Sequence, residues 1–459
     1  MSANPETAAL PKFEVTALEA KNSLDFLEQV FALYAAGEPF AICRPEIDLD
    51  DYPALSVTRR ITMEERHGWA KMTYRAALQE PATDLRPAQI VFSSGTEGKP
   101  KAILIGRGSL TDTENRLLSV MEITDEIREY IGVPVTYAFG LGRARVVARA
   151  GGAFYLPERF DPVEIRDLLE AGEINAISAV PSLWRILLAN PGFLGELGSR
   201  VRWIEIGSQY MTAEEKSAMR QMFPNARIVQ HYGLTEASRC TLLTVDGAPE
   251  AVLESVGKAV GATEIRIGEA GQICIRGPLL AIGILMEDGS IEPIADATGW
   301  LNTKDRGEIR DGLLYYGGRL DDQINLSGVK LAAEMLEHEL AELVTLGQAH
   351  FAITSVPDPM RGETVLLAHD AEAAPYAALL QAALDQVLAA RGIEAVGITR
   401  MLALEDLPRT GSGKVQRKTL RGFWEEVQDT LPAEASPGRR WLVCPTRLSK
   451  RASSAFAAL

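Results

Sequence analysis

The sequence predicts an α/β protein: a large N-terminal domain of helix-flanked β-sheets with a small β subdomain, followed by a small α+β C-terminal domain. Three observations predict it. From Gly152 to Tyr232 short apolar runs alternate with amphipathic stretches, the cadence of mostly parallel strands covered by helices. From Glu254 to Gly277 short alternating segments are punctuated by glycines, which marks a small β unit. Beyond Ala332 a helix, a strand, a helix and a strand succeed one another as a separate α+β unit.

Length and charge bound the function. At 459 residues the chain exceeds what one core usually holds, so two or more domains are expected. Hydrophobic residues make up 46% and charged residues 24%, an ordinary globular balance. The net charge of −15 argues against nucleic acid or an anionic membrane as main partner, since both repel an acidic surface. Cys43, Cys240, Cys274 and Cys444 are scattered and form no Cys-x-x-Cys, and the five histidines form no His-Glu-x-x-His. Residues 1–30 lack a basic start followed by a long apolar run, and no apolar stretch reaches the roughly 18 residues of a spanning helix. No signal peptide and no membrane span are expected, and a cytoplasmic setting is the default.

In chain order, Leu24 to Ala36 has helical spacing with Gly37 as its stop, Pro39 to Cys43 reads as a strand, and Met63 to Leu78 as a helix. Ile90-Val91-Phe92 and the run after Lys101 read as strands on either side of Ser-Ser-Gly-Thr-Glu-Gly-Lys-Pro-Lys at 93–101. That loop holds the parts of a polyphosphate cradle. Its glycines let the backbone approach a bound group, its hydroxyls and amides donate to anionic oxygens, and its lysines supply charge. It is not a Walker loop, because Gly98-Lys99 is followed by proline and a strand rather than by a helix.

Helices are expected over Thr111–Met121, Arg143–Ala150, 162–171, Ser182–Leu188 and Ala213–Phe223. Strands are expected over 152–156, 176–180, 203–207 and 227–231. Arg143 and Arg145 are read as solvated helix charges. Ligands in open α/β sheets bind outside the carboxyl ends of strands, and two such ends carry chemistry. Gly207-Ser208-Gln209 is one. His231-Tyr232-Gly233-Leu234-Thr235-Glu236 is the other, with Tyr232 as a flat face for a purine, Thr235 as a phosphate donor and Glu236 as a hard ligand for magnesium. Further on, Asp305 is a candidate for ribose hydroxyls and Arg319 for ribose and phosphate; a surface ion pair is the plainer alternative. Gly411 and Gly413 form a loop that carries Lys414.

Five signatures in one order resemble the adenylate-forming superfamily of acyl-CoA synthetases, peptide-synthetase adenylation domains and luciferases. They are the 93–101 loop, Tyr-Gly-Leu-Thr-Glu at 232–236, Gly-Trp-x-x-Thr-x-Asp at 299–305, Gly-Arg-x-Asp-Asp at 318–322 and Pro-Arg-Thr-Gly-Ser-Gly-Lys at 408–414. The resemblance covers roughly residues 85–425. It implies an N-terminal AMP-binding domain over 1–320, a hinge at Asp321 and a mobile C-terminal domain over 321–459. It also implies a two-step reaction: a carboxylate attacks the α-phosphorus of ATP, and a thiol then attacks the acyl-adenylate.

The catalytic residues implied are Lys414, Thr235 and Glu236, with Mg2+ on Glu236. Nucleotide binding falls to Ser93, Ser94, Gly95, Thr96, Glu97, Gly98, Lys101, Gly207, Ser208, Gln209, His231, Tyr232, Gly233, Asp305, Arg319 and Lys330. Ser327 and Gly328 would face the thiol, which is coenzyme A or the phosphopantetheine of an acyl carrier protein. Lys304 in place of the usual glycine, and Gln209-Tyr210 in place of small residues, depart from the family pattern.

The stretch Thr-Tyr-Ala-Phe-Gly at 136–140 lacks the acid with which amino-acid-activating members pair the substrate ammonium. An uncharged aryl or fatty acid is therefore expected, packed near Tyr137, Phe139, Trp184 and Gly207. A carrier-protein-loading ligase, a nucleotide-binding regulator without catalysis and a luciferase-like oxygenase are the alternatives.

Overall fold

The structure is a computed structural model that describes residues 12–72, 86–93, 100–320, 322–326, 329–346, 349–358, 362–393, 398–409 and 415–430. Two compact units emerge. Residues up to Thr303, with Glu308–Tyr315, form the first; Lys304–Gly307 and the residues from Tyr316 onward form the second.

The first unit is built on two large sheets. In one, the strands run in the order Ile291–Pro293, Gly283–Leu285, Lys101–Gly106, Pro87–Ser93, Phe40–Cys43, Phe13–Glu19, Leu55–Ile61. In the other the order is Lys258–Ala259, Thr241–Thr244, Arg227–Tyr232, Trp203–Ile206, Ala176–Ala179, Arg128–Ile131, Ala153–Leu156, Gly68–Ala70. The five strands from Arg227–Tyr232 to Ala153–Leu156 are parallel neighbours, as the strand–helix cadence predicts.

Side chains alternate across this second sheet and feed two different cores. Ile131, Ala176, Trp203 and Val229 point to the side of helices Arg107–Met121 and Ala138–Ala150, where Phe40 and Ile103 of the first sheet join the same core. Tyr130, Ile177, Ile204, Ile206 and Ile228 point the other way, into a core shared with helices Pro162–Glu170, Pro181–Leu188 and Ala213–Met222. The last of these helices starts from a capping box, in which Thr212 and Glu215 satisfy each other's backbone N–H.

The helix expected over Met63–Leu78 is not formed in its described part. Gly68–Ala70 is an edge strand against Ala153–Leu156. The N–H groups of Met63 and Glu64 donate to the carboxylates of Glu19 and Asp25, at 2.8 and 2.9 Å, so they are satisfied without a helical ladder. A small sheet follows, with Glu264–Ile267 and Gln272–Arg276 beside the hairpin Leu301–Arg310/Leu313–Arg319.

In the second unit Gln323–Leu326, Val329–Ala332, Phe351–Asp358, Gly362–His369 and Thr399–Ala403 form a mixed sheet. Helices Ala333–Leu343 and Ala377–Ala389 pack on one core, and helix Arg417–Thr430 contributes Leu420, Trp424 and Val427 to another. Among the described residues no helix is long and apolar enough to cross a membrane.

Candidate active site

Two paired strands flank the glycine- and lysine-rich loop. Strands Pro87–Ser93 and Lys101–Gly106 pair antiparallel, with Ser93 directly opposite Lys101. Both stems are tied at the base: Arg44 donates to the carbonyl of Phe92 at 2.7 Å, and the Tyr52 hydroxyl to that of Pro100 at 2.6 Å. Ser94, Gly95, Thr96, Glu97 and Gly98 lie outside the described residues. So do Asp321, Ser327, Gly328 and Lys414, and of Lys330 only its backbone place in strand Val329–Ala332 is described.

Thr235 and Glu236 occupy the tip of a closed turn. Leu234 N–H donates to the carbonyl of Ala237 at 2.9 Å, and Ala237 N–H returns to that of Leu234 at 3.2 Å. The Glu236 carbonyl accepts from Ala281 at 2.8 Å, which fixes the turn from a second side. Gly233 must be glycine here, because a β-carbon would stand 2.3 Å from the backbone nitrogen of Arg239. Glu236 is half-buried and makes no ion pair among the described residues. A hard carboxylate presented in this way fits magnesium, which binds through one or two carboxylates and otherwise through water and substrate phosphate.

The neighbouring strand end is just as constrained. Ser208 holds a left-handed φ of 72°, which turns the chain sharply after Gly207. The Gln209 side chain accepts from the N–H of Ser182 and so caps helix Pro181–Leu188, a structural task beside the nucleotide role expected of it. Tyr210 donates to Glu254 at 2.6 Å. These two bonds account for the departures from small residues at 209–210.

Beneath the strand ends lies an ionic cluster that the sequence did not reveal. Arg143 is 1% exposed and Arg145 4%, so neither is the solvated helix charge expected. Arg143 bridges both oxygens of Glu129, at 2.8 and 2.5 Å, and one oxygen of Glu205 at 2.8 Å. Arg239 donates to Glu205 at 2.7 Å and to the Phe139 carbonyl at 3.2 Å. His231 Nδ1 lies 2.6 Å from Glu205, although its N–H is not directed straight along that line. Burial alone would push the Glu205 carboxyl up, but Arg239, His231 and Arg143 outweigh it and hold the group well below the usual carboxylate range. Burial draws His231 below its ordinary value, against the pull of Glu205. Glu205 reads as an ordinary strand residue and Glu129 falls in a stretch given no element, since nothing local announces the partners a helix brings.

The expected acyl wall is divided. Phe139 packs edge-on against the His231 ring at 4.8 Å, and Tyr137 stands at the N-cap position of the same helix, without a side-chain capping bond, beneath the Arg44 guanidinium. Gly207 lies against the same imidazole: a β-carbon there would be 2.1 Å from Cε1. Trp184 faces the other side of the sheet, fully buried against Phe223, with its indole donating to the Ala179 carbonyl. The structure does not bring it to Tyr137, Phe139 and Gly207.

In the second unit Asp305 is buried, with its carboxylate 3.6 Å from Arg319, so the two expected ribose residues meet. The base of the Lys414 loop is closed by a bridge between Arg409 and Val415 and by a bond from Gln416 to Pro408. Arg417 is buried, donates to Glu337 at 2.7 Å, and lies 3.8 Å from Asp322.

The family model for the AMP-binding enzyme matches residues 43–285, more than half of the chain. The chain belongs to the AMP-binding enzyme family. It is an adenylate-forming, acyl-CoA-synthetase-like enzyme, an AMP-forming acid–thiol ligase, as the five signatures predicted. It is 29% identical over 344 residues to a 2-succinylbenzoate–CoA ligase of Listeria monocytogenes, covering 73% of this chain and 70% of that one. A 4-coumarate–CoA ligase of Narcissus pseudonarcissus is 26% identical over 390 residues, covering 78% and 68%. In fold, ATP-bound MatB from Rhodopseudomonas palustris superposes with a TM-score of 0.72 at 21% identity, covering 91% and 90%. The mixed α/β architecture of a large N-terminal and a smaller C-terminal part is that of these relatives.

Proposed function

We propose that this chain joins an uncharged aryl or fatty carboxylic acid to a thiol at the expense of ATP, through an acyl-adenylate, with coenzyme A as the thiol. The observation that carries the reading is the closed 234–237 turn, which offers a hydroxyl and a carboxylate with no ion pair among the described residues, at a parallel strand end within a matched AMP-binding region. Relatives named for 2-succinylbenzoate and 4-coumarate support an aryl acid.

The physical problem is that carboxylate and triphosphate are both anions. The 93–101 loop holds the β- and γ-phosphates as a leaving group. Mg2+ on Glu236 supplies further neutralisation when bound, and Thr235 donates to phosphate. Asp305 and Arg319 hold the ribose. Lys414 bridges the carboxylate and the α-phosphate where charge builds, a preorganised donor whose loss costs about 3–4 kcal/mol. The C-terminal unit turns about Asp321 after adenylation, withdrawing Lys414 and bringing Ser327-Gly328 to the thiol. The enzyme works in the cytoplasm on a small-molecule acid.

The test is carboxylate-dependent exchange of labelled pyrophosphate into ATP over a panel of aryl, fatty and amino acids. Exchange with uncharged acids and none with amino acids is expected. ATP binding without exchange on any acid would overturn the reading in favour of a nucleotide-binding regulator. Release of thioester on coenzyme A, against transfer only to a carrier protein, decides the acceptor.

A further inference from the structure

A buried lysine that the adenylation chemistry does not use is tied to the loop that follows strand Trp203–Ile206. Lys216 lies on helix Ala213–Met222 and is fully buried. Its ammonium donates to the carbonyl of Leu253 and, at 3.0 Å, to that of Ser255. It therefore grips the chain on both sides of Glu254. The exposed carboxylate of Glu254 turns back to the loop: one oxygen accepts from the Tyr210 hydroxyl at 2.6 Å and the other from the Ala213 N–H at 3.0 Å. The gripped segment is itself anchored. Thr241 donates to the Val256 carbonyl at 2.6 Å, and the Val256 N–H donates to the carbonyl of Leu314 at 2.8 Å.

Enclosing an ammonium removes it from water, and an apolar side chain of similar volume would fill the space at a lower free-energy cost. What the lysine adds is geometry, since it fixes Glu254 by the two carbonyls beside it. The loop that Glu254 reaches is strained: Ser208 holds a φ of 72°, a conformation that a side-chain-bearing residue keeps only where its surroundings over-determine it. Three contacts do so. The Ser182 N–H donates to the Gln209 side chain at 3.1 Å, Arg185 donates to the Tyr210 carbonyl at 2.9 Å, and the Tyr210 hydroxyl is held by Glu254. The first two come from helix Pro181–Leu188, and the third comes from a different element, through Lys216.

We propose that Lys216 and Glu254 are positioning residues for the nucleotide: with Tyr210 they form a clasp that holds the 207–212 loop in the backbone arrangement that receives ATP. The proposal rests on the reading of Gly207, Ser208 and Gln209 as part of the nucleotide site. The clasp acts through the loop, and it gives Tyr210 a task that the small residue usual at that position could not perform. With the clasp open, fewer molecules carry a receptive loop, and the apparent affinity for ATP falls by the same factor. Bound ATP re-orders the loop, so turnover at saturation changes far less.

Titration calorimetry of the full chain is the first test. The probe is an ATP analogue with a methylene bridge between the α- and β-phosphorus, given with Mg2+ and no acid, so that binding is read without chemistry. Lys216→Met, Glu254→Ala and Tyr210→Phe should each weaken the analogue about five- to tenfold. Glu254→Gln, which keeps one acceptor oxygen, should lose less than Glu254→Ala. Lys216→Met combined with Glu254→Ala should bind no more weakly than the worse of the two alone, because both open the same clasp. Unchanged affinity in Glu254→Ala and Tyr210→Phe would overturn the proposal and leave the ligase reading standing. No binding by the unmodified protein would bring down both.

Pyrophosphate exchange then separates positioning from a general loss of structure. In each variant the KM for ATP should rise by the factor seen in calorimetry, with the KM for the acid unchanged and kcat within about twofold of the parent. A fall in kcat at unchanged KM for ATP, or an equal rise in both KM values, would overturn the proposal. Should Lys216→Met fail to fold, the variants at exposed Glu254 and half-buried Tyr210 still decide.

Discussion

Replacing Glu205 with glutamine removes one charge and almost no volume from the centre of the first unit. The carboxylate is 0% exposed and has Arg239 at 2.7 Å, Arg143 at 2.8 Å and His231 at 2.6 Å around it. In the variant Arg143 keeps Glu129 but Arg239 loses its carboxylate partner among the described residues, so one positive charge is left uncompensated in a dry interior. Breaking a buried pair from one side in this way costs about 3–5 kcal/mol. At about 2–3 °C per kcal/mol for a unit of this size, Glu205→Gln should unfold roughly 6–15 °C below the parent. Thermal unfolding followed by tryptophan fluorescence measures it. The double variant Glu205→Gln with Arg239→Met removes the surplus cation and should recover about 1–3 kcal/mol relative to the sum of the single losses. A single-variant loss under about 1 kcal/mol, or strict additivity, would refute the view of Glu205 as the counter-ion that holds this site together.

Lys216 is buried, donates to the carbonyls of Leu253 and Ser255, and is lowered by burial to about 8 from 10.5. The unfolded chain then holds this proton at a pH where the folded one has released it. Stability should rise as pH climbs from about 8 to about 10.5, by up to about 1.4 kcal/mol per pH unit, and Lys216→Met should flatten that rise; an unchanged slope would contradict it. Lys414→Ala should slow adenylation about a hundredfold or more while sparing thioester formation from supplied acyl-adenylate, and equal loss of both half-reactions would contradict the swivelling-lysine role. Trp184→Phe should cost about 1 kcal/mol through the lost bond to Ala179 and leave the order of preferred acids unchanged; a reordered panel would return this residue to the pocket.

The fold was legible because its signals are local. The apolar strand at 203–206 and the helix at 213–222 carry their own periodicity and caps, and the strand pair around the 93–101 loop follows from two apolar runs flanking it. The Met63–Leu78 reading failed because helical spacing there competes with side-chain acceptors supplied by Glu19 and Asp25, which only the folded chain brings near. Motif residues such as Glu236 could be named from their pattern. The support beneath them could not. Arg143 lies on a helix, Glu129 and Glu205 on strands and Arg239 just past a turn, and no spacing in the chain links the four. Trp184 was misplaced for a related reason: composition marks it as a large aromatic near the site in sequence, but strand alternation and helix packing send it to the other core.

The central claim is that a carboxylate oxygen attacks the α-phosphorus. An acid labelled with oxygen-18 in its carboxylate tests this directly, with the AMP recovered after thioester formation weighed by mass spectrometry. Attack at phosphorus followed by thiol cleavage of the acyl carbon–oxygen bond leaves one labelled oxygen on AMP and the other in the thioester, which is the result expected. Unlabelled AMP, or label found only in released phosphate alongside ADP, would contradict the account.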